Sequence, residues 1–192
     1  NGLKETGRRE AEIMRDLCHK HHAIEYREAA DDTETANIWE VRRKMSPAIK
    51  RTGAVKINHD IVIPRSRIPE MLAFLEGVSQ RYGYPLPTFG HAGDGNLHPT
   101  INFDGRDADE VERVHAAGKA IMKRCVEAGG SITGEHGVGV DKIGYMPMIF
   151  DQASLDAMLV VKEVFNPTGL CNPGKAIPTQ KMCREHRKVV RA

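Results

Sequence analysis

No run of apolar residues approaches the ~18 that a membrane-spanning helix requires, so no transmembrane helix is expected. The opening residues carry no secretory signal pattern. Charge of one sign is also missing. The 28 basic and 26 acidic residues nearly cancel to a formal +2, which gives no basis for nucleic acid or an acidic membrane surface as partner. None of the four cysteines, Cys18, Cys125, Cys171 and Cys183, belongs to a C-x-x-C pair. A disulfide framework is therefore not expected, and a reducing, cytoplasmic setting fits. Cys18 and Cys125 sit inside helical patterns and read as small core residues. There is no internal repeat. The chain starts at Asn1 rather than Met, as expected of a fragment of a longer protein.

What is present is an ordinary globular composition. The 192 residues are 40% hydrophobic and 28% charged, which suits one domain, or one domain with an appended segment, and argues against disorder. Periodicity predicts an amphipathic helix over 4–22 with Ile13, Met14, Leu17 and Cys18 on one stripe. His19, His21 and His22 at its end read as a solvated cationic terminus rather than a metal site. Residues 23–28 alternate as a strand. A helix over 32–45 follows, with Asp31 or Asp32 as its cap. One or two short strands are expected over 54–63, then a helix over 67–82 capped by Ser66 and stopped by Gly83. Residues 86–103 read as two strands joined through Gly93-Asp94-Gly95-Asn96. The longest helix is expected over 107–128, capped near Asp107 and ended by Gly129-Gly130. A short strand over 131–133, a glycine-rich loop and a last helix over 153–165 complete the pattern. The basic stretch 179–192 reads as solvated tail. A hairpin among alternating helices and strands favours α+β, an antiparallel sheet covered by helices, over a doubly wound parallel sheet.

Three segments carry chemistry. In Gly90-His91-Ala92-Gly93-Asp94-Gly95-Asn96-Leu97-His98, the histidines are seven positions apart and would lie on opposite faces of one straight strand. The intervening turn residues allow a chain reversal that returns both imidazoles to one point. Two converging neutral imidazoles suit zinc, manganese or iron. On spacing alone, two unrelated histidines flanking a hairpin fit as well. In Gly130-Ser131-Ile132-Thr133-Gly134-Glu135-His136-Gly137-Val138-Gly139, a carboxylate and an imidazole lie side by side between glycines. Glu135 would complete a two-His, one-carboxylate set with open positions for substrate, leaving His136 as a general base. The alternative is a surface ion pair on a flexible loop. The third segment, Phe165 to Lys175, is rich in turns and backbone donors, as a plain C-terminal loop would also be.

The order H-x-G-D-G-N-L-H, G-E-H-G-V-G and N-P-x-G-x-x-N-P-G-K resembles the C-terminal half of the FAD-linked oxidases. This is the family that includes the flavin-carrying polypeptide of glycolate oxidase, D-lactate dehydrogenase and D-2-hydroxyglutarate dehydrogenase. The resemblance runs from about Trp39 to Pro178. It implies a ferredoxin-like cap domain of the vanillyl-alcohol-oxidase type over residues 1–165. It also implies a segment, 166–192, that packs on an FAD-binding domain. By similarity, His91, His98 and Glu135 match metal ligands, zinc foremost, and His136 matches the base. Asn172 and Lys175 lie in the segment that approaches the flavin. Arg42, and beside it Arg43, match the arginine that pairs with the substrate carboxylate, for which a guanidinium fork is well suited; a solvated helix face is the alternative. No early Gly-rich loop that could cradle a pyrophosphate is present.

The function this implies is metal-assisted oxidation of a 2-hydroxy acid such as glycolate or D-lactate. Hydride passes to FAD, then electrons to a partner subunit or another acceptor. The location is cytoplasmic, or peripheral to a membrane through partner subunits. Two rivals remain: a free-standing metal-dependent hydrolase using the same residues, and a non-catalytic subunit-interaction module.

Overall fold

The computed structural model describes residues 3–51 and 55–178; the basic stretch 179–192 and Cys183 lie outside them. The chain divides into two compact units, Asn1–Pro47 and Ala48–Ala192. In the first, helix α1 (Lys4–Lys20) has no buried residue, and Ile13, Met14 and Leu17 are exposed along it. Cys18, expected in a core, is half-buried. Residues 23–28 are not a strand. Alternation alone does not make one, because a strand needs a neighbour to take up its backbone groups. Here the Tyr26 hydroxyl donates to the Ala11 carbonyl (3.4 Å), and Arg27 pairs with Glu34 at 2.5 Å.

Helix α2 (Asp32–Lys50) begins where expected. The Asp31 carboxylate accepts from the Glu34 N–H (2.7 Å), and the Glu34 carboxylate reaches back to the Ala30 N–H (2.9 Å), much as in a capping box. It runs beyond the expected end at 45, continuing through Pro47 to Lys50. Pro47 has no N–H to donate to the Arg43 carbonyl one turn back, and the helix ends three residues later.

The second unit is built on strands β1 (Val55–Asn58), β2 (Ile61–Val62), β3 (Thr88–His91) and β4 (Asn96–Phe103), all pairing antiparallel with β4. β1 and β2 are one strand in register: Val55 faces Phe103, Asn58 faces Thr100, and after the break Ile61 faces Leu97 and Val62 faces Asn96. The break at His59 and Asp60 lies opposite Pro99 and His98. Proline has no N–H for the ladder, although the His59 N–H still donates to the Pro99 carbonyl (2.9 Å). On the far edge, the short strand expected over 131–133 is reduced to one antiparallel bridge, Val62 with Ser131, bonded in both directions at 3.1 and 2.8 Å. Helix α3 (Ile68–Tyr82) connects β2 to β3, and α4 (Ala108–Glu127) connects β4 to Ser131. The order Ser131, β1/β2, β4, β3 with these crossovers is the βαββαβ arrangement of ferredoxin-like sheets.

Asp107 caps α4 by accepting from the N–H groups of Asp109 and Glu110. Ser66 does not cap α3; it lies in a 3₁₀ turn, Arg65–Arg67, and Arg67 precedes the helix without a side-chain cap. A second 3₁₀ stretch, Ile143–Met148, leads to α5 (Gln152–Phe165), which Asp151 caps by accepting from the Ser154 N–H (2.8 Å). α3 and α4 pack together, with α4 over β4 and β2. Leu97, Ile101 and Phe103 of β4 join Met71, Leu75 and Val78 of α3 and Val114, Ile121, Met122 and Cys125 of α4 in the core. The alternate residues of β4, Asn96, His98 and Thr100, turn to the other face, and they are buried too.

His59 points with the core side chains. Its imidazole occupies the space a side chain would need at Gly118 of α4, where a Cβ would lie 2.7 Å from Cε1. That close approach accounts for a mid-helix glycine, which otherwise costs ~1 kcal/mol. Burial pushes His59 down to about 4, with the Lys142 ammonium and His115 adding to it. An unfolded chain takes up this proton near the ordinary value of 6.5 and the folded chain only near 4, so the contribution is complete above 6.5 and lost as pH falls toward 4. Urea unfolding should show a stability difference between wild type and His59→Gln that changes by about 3 kcal/mol between pH 7 and pH 4. A pH-independent difference would mean that His59 titrates in the fold as it does in the unfolded chain.

Candidate active site

Residues directly opposite each other in a sheet share a face. On β4, His98 faces Phe89 of β3 on one side. On the other, the continued β1/β2 register sets it against Asp60. His91 pairs with Asn96, two residues before His98, so both histidines are on the polar face. The tight turn between them makes this possible. The Asp94 N–H closes it onto the His91 carbonyl (3.0 Å), and Gly95 adopts a φ of 74°. The Gly95 carbonyl accepts from the Ile63 N–H at 3.0 Å. The His98 ring centroid lies 5.9 Å from that of His91, 5.3 Å from Phe89 and 5.2 Å from His136, which stacks on it.

The second motif meets the first here. His98 Nε2 lies 3.3 Å from Glu135 Oε1, and His136 Nε2 lies 3.6 Å from the same oxygen. One ligating atom each from Asp60, His98, Glu135 and His136 fall within 4.8 Å of one another. His91 stands outside this group of four, one ring further along the face. His98 is buried, whereas the side chains of Glu135 and His136 are half exposed. Burial pushes the His98 imidazole below its ordinary value, against the opposing pull of Asp60, and so favours the neutral form that can ligate a metal.

The loop bearing Glu135 and His136 is bound to Asp60. The buried carboxylate accepts from the Thr133 hydroxyl (2.9 Å) and from the N–H groups of Gly134 (2.8 Å), Glu135 (3.1 Å) and His136 (3.0 Å). The buried Lys142 ammonium donates to the Asp60 carbonyl (2.8 Å) and lies 3.5 Å from Oδ2. Burial alone would raise the Asp60 carboxyl. The amides of His136 and Gly134, the Thr133 hydroxyl and Lys142 outweigh it and hold the group well below the carboxylate range. Neither Asp60 nor Lys142 was singled out in the sequence. The available signal was Asn58-His59-Asp60, a polar interruption within the strand pattern Ile57 to Ile63.

Arg42, half-buried, and Arg43, exposed, are on α2 in the first unit. Asn172 and Lys175 are exposed and held together by Lys162 of α5, whose ammonium donates to the Lys175 carbonyl at 2.9 Å and the Asn172 carbonyl at 3.3 Å. Both line an open groove of about 1020 Å³ beside α5, with Met158, Val161 and Phe165 as its apolar wall. The lining includes none of His91, His98, Glu135 and His136.

A ferredoxin-like α+β domain with imidazoles and a carboxylate gathered on its polar sheet face is the class that fold and site define. The model of the family "FAD linked oxidases, C-terminal domain" matches residues 1–176, and the chain belongs to that family. Relatives include glycolate oxidase subunit GlcD of Bacillus subtilis (strain 168), 39% identical over 91% of this chain, and that of Escherichia coli (strain K12), 37% identical over 96%. D-2-hydroxyglutarate dehydrogenase of Stutzerimonas stutzeri (strain A1501) is 33% identical over 75%. The chain spans 37% of the length of either glycolate oxidase subunit.

Gly95 should be the least replaceable residue of the hairpin. A Cβ there would lie 2.0 Å from the Ile63 carbonyl oxygen, at a φ that side chains resist, whereas a Cβ at Gly93 would meet nothing within 4 Å. Thermal or urea unfolding of Gly95→Ala should show a loss of about 2–4 kcal/mol, and Gly93→Ala a change within about 0.5 kcal/mol.

Proposed function

We propose that this chain is the substrate-side, C-terminal part of an FAD-dependent, metal-assisted D-2-hydroxy acid dehydrogenase that oxidises glycolate or D-lactate to the 2-oxo acid. The observation that carries the reading is the meeting of His98 Nε2, Glu135 Oε1 and His136 Nε2 on one sheet face. A buried neutral imidazole beside a carboxylate is a donor set that fits a divalent metal, zinc foremost, with manganese or iron as alternatives. His98 and Glu135 would hold it, with His91 as the third ligand by resemblance to the family.

A divalent metal held there would supply Lewis acidity at the substrate hydroxyl, and the flavin would supply the hydride acceptor. His136, half exposed beside Glu135, takes the hydroxyl proton at Nε2. Burial of His98 keeps water from one side of the centre. Arg42, with Arg43 next to it, is the proposed partner of the substrate carboxylate, on the strength of the resemblance. Most flavin contacts would come from the length of the relatives that this chain does not cover. Residues 166–192, with Asn172 and Lys175, are proposed to pack there. The exposed Val160, Val161, Val164, Phe165 and Leu170 supply an apolar surface suited to burial against another part of the protein. An electron-acceptor subunit completes the reaction. A cytoplasmic location, or a peripheral one through such a subunit, is proposed on the strength of the resemblance; no described helix is long and apolar enough to cross a membrane.

The 192-residue chain alone, supplied with FAD and zinc, should reduce no dye with D-lactate or glycolate. Robust turnover would show that it holds the whole machinery. In the full-length protein, metal content and kcat of two variants separate the roles of neighbouring residues. Glu135→Ala should be metal-poor. His136→Ala should keep its metal and be slower by ~10²–10⁴-fold, the range a general base contributes. Loss of metal from both variants would make His136 a ligand instead. A wild type that binds no divalent metal would remove the metal from the reading altogether.

A further inference from the structure

Asp60 is completely buried, in the break between β1 and β2 and opposite His98. Its two oxygens differ sharply in surroundings. Oδ2 is surrounded by the Thr133 hydroxyl, three consecutive N–H groups from Gly134 to His136, and the Lys142 ammonium. Three successive amides converging on one anion form a nest of the kind that binds phosphates in other proteins, but here the anion is the protein's own. An oxygen with five donors around it, one of them a cation, has no lone pair to spare for a metal. Oδ1 accepts one long bond, from the Glu135 N–H at 3.3 Å, and lies 3.9 Å from His98 Nδ1. That nitrogen is buried and has no hydrogen-bond partner.

We propose that Asp60 is a positioning residue of the metal site: through Oδ1 it holds the proton of His98 on Nδ1, leaving Nε2 bare toward Glu135, and through Oδ2 it fixes Glu135 and His136 in place. A neutral imidazole carries one N–H, and the neighbour of one nitrogen decides the state of the other. With a carboxylate on the Nδ1 side, the Nδ1–H tautomer is favoured and the Nε2 lone pair is presented for ligation. The gap of 3.9 Å is about 1 Å beyond a hydrogen bond. The same carboxylate thereby acts on both motifs, setting the protonation of the strand histidine and the backbone of the loop. Asp60 itself stays outside the metal's coordination.

This inference rests on the metal reading given above, and the experiment separates the two. Imidazole ¹⁵N spectra of metal-free, full-length protein at pH 7.5 should show His98 with a protonated Nδ1 and a bare Nε2. The reverse tautomer overturns the proposal without any substitution having been made. Co²⁺ titration should then show Asp60→Asn binding about 10–100-fold more weakly than wild type, the scale of a lost orienting partner. The downfield shifts of the Gly134, Glu135 and His136 amide protons should collapse together in that variant. Met122→Ala, a substitution in the hydrophobic core on α4, controls for stability and should bind Co²⁺ within about twofold of wild type. Equal weakening in Met122→Ala, or wild-type binding by Asp60→Asn, overturns the proposal. If Asp60→Asn does not fold, the tautomer in the unaltered protein decides. If the unaltered protein binds no Co²⁺, the metal reading fails, and the tautomer and amide shifts still test Asp60.

Discussion

The buried Asp60 carboxylate is the group on which the site's geometry depends. Remove it, and three backbone amides, a hydroxyl and a buried ammonium lose their common acceptor. Each buried donor left unpaired costs ~1–3 kcal/mol, more where it is charged. The loop that carries Glu135 and His136 is flanked by glycines and both side chains are half exposed, while Ile132 before it and Val138 after it pack with the core. An ionised carboxylate at this depth persists only because so many donors surround it. The position of two candidate functional side chains therefore follows from the desolvation of a third.

The sheet separates its two tasks by the pleat of β4. Odd-numbered residues Leu97, Ile101 and Phe103 build the hydrophobic core with α3 and α4, while Asn96, His98 and Thr100 face away from it. Stability and chemistry are thus carried by alternate residues of one strand, and a register slip of one residue would exchange them. β1/β2 follows the same division. His59 goes to the core side against Gly118, and Asp60 to the polar side against His98. This explains how adjacent polar residues come to have such different surroundings.

Much of this was legible in the sequence where a local chemical rule was decisive. The Gly-Asp-Gly-Asn turn identified the hairpin, and the hairpin register put His91 and His98 on one face. Asp31, Asp107 and Asp151 sit at helix starts, and Asp107 and Asp31 were readable as caps because their neighbours had helical periodicity. The sequence is less informative where the outcome depends on contacts distant along the chain. Residues 23–28 have the alternation of a strand but no ladder. Ser66 has the chemistry of a cap, but the chain enters α3 through a 3₁₀ turn. α2 passes through Pro47. Asp60 belongs to no motif, and its donors come from residues more than seventy positions later. Only folding brings them together. The grouping of His136 and Asp60 around His98 and Glu135, with His91 one ring away, likewise depends on how loop and sheet meet.

Pro99 interrupts the ladder opposite His59 and Asp60, and it has a second effect on its other neighbour. The residue before a proline is sterically confined to extended backbone in any state of the chain. His98 is that residue. Even before folding, its backbone samples few alternatives to the conformation it has in β4, so fixing its Cα–Cβ direction costs less conformational entropy than for an unrestrained histidine. The dipeptide His98-Pro99 thus builds part of the site's rigidity into the unfolded chain, independently of any contact made afterwards.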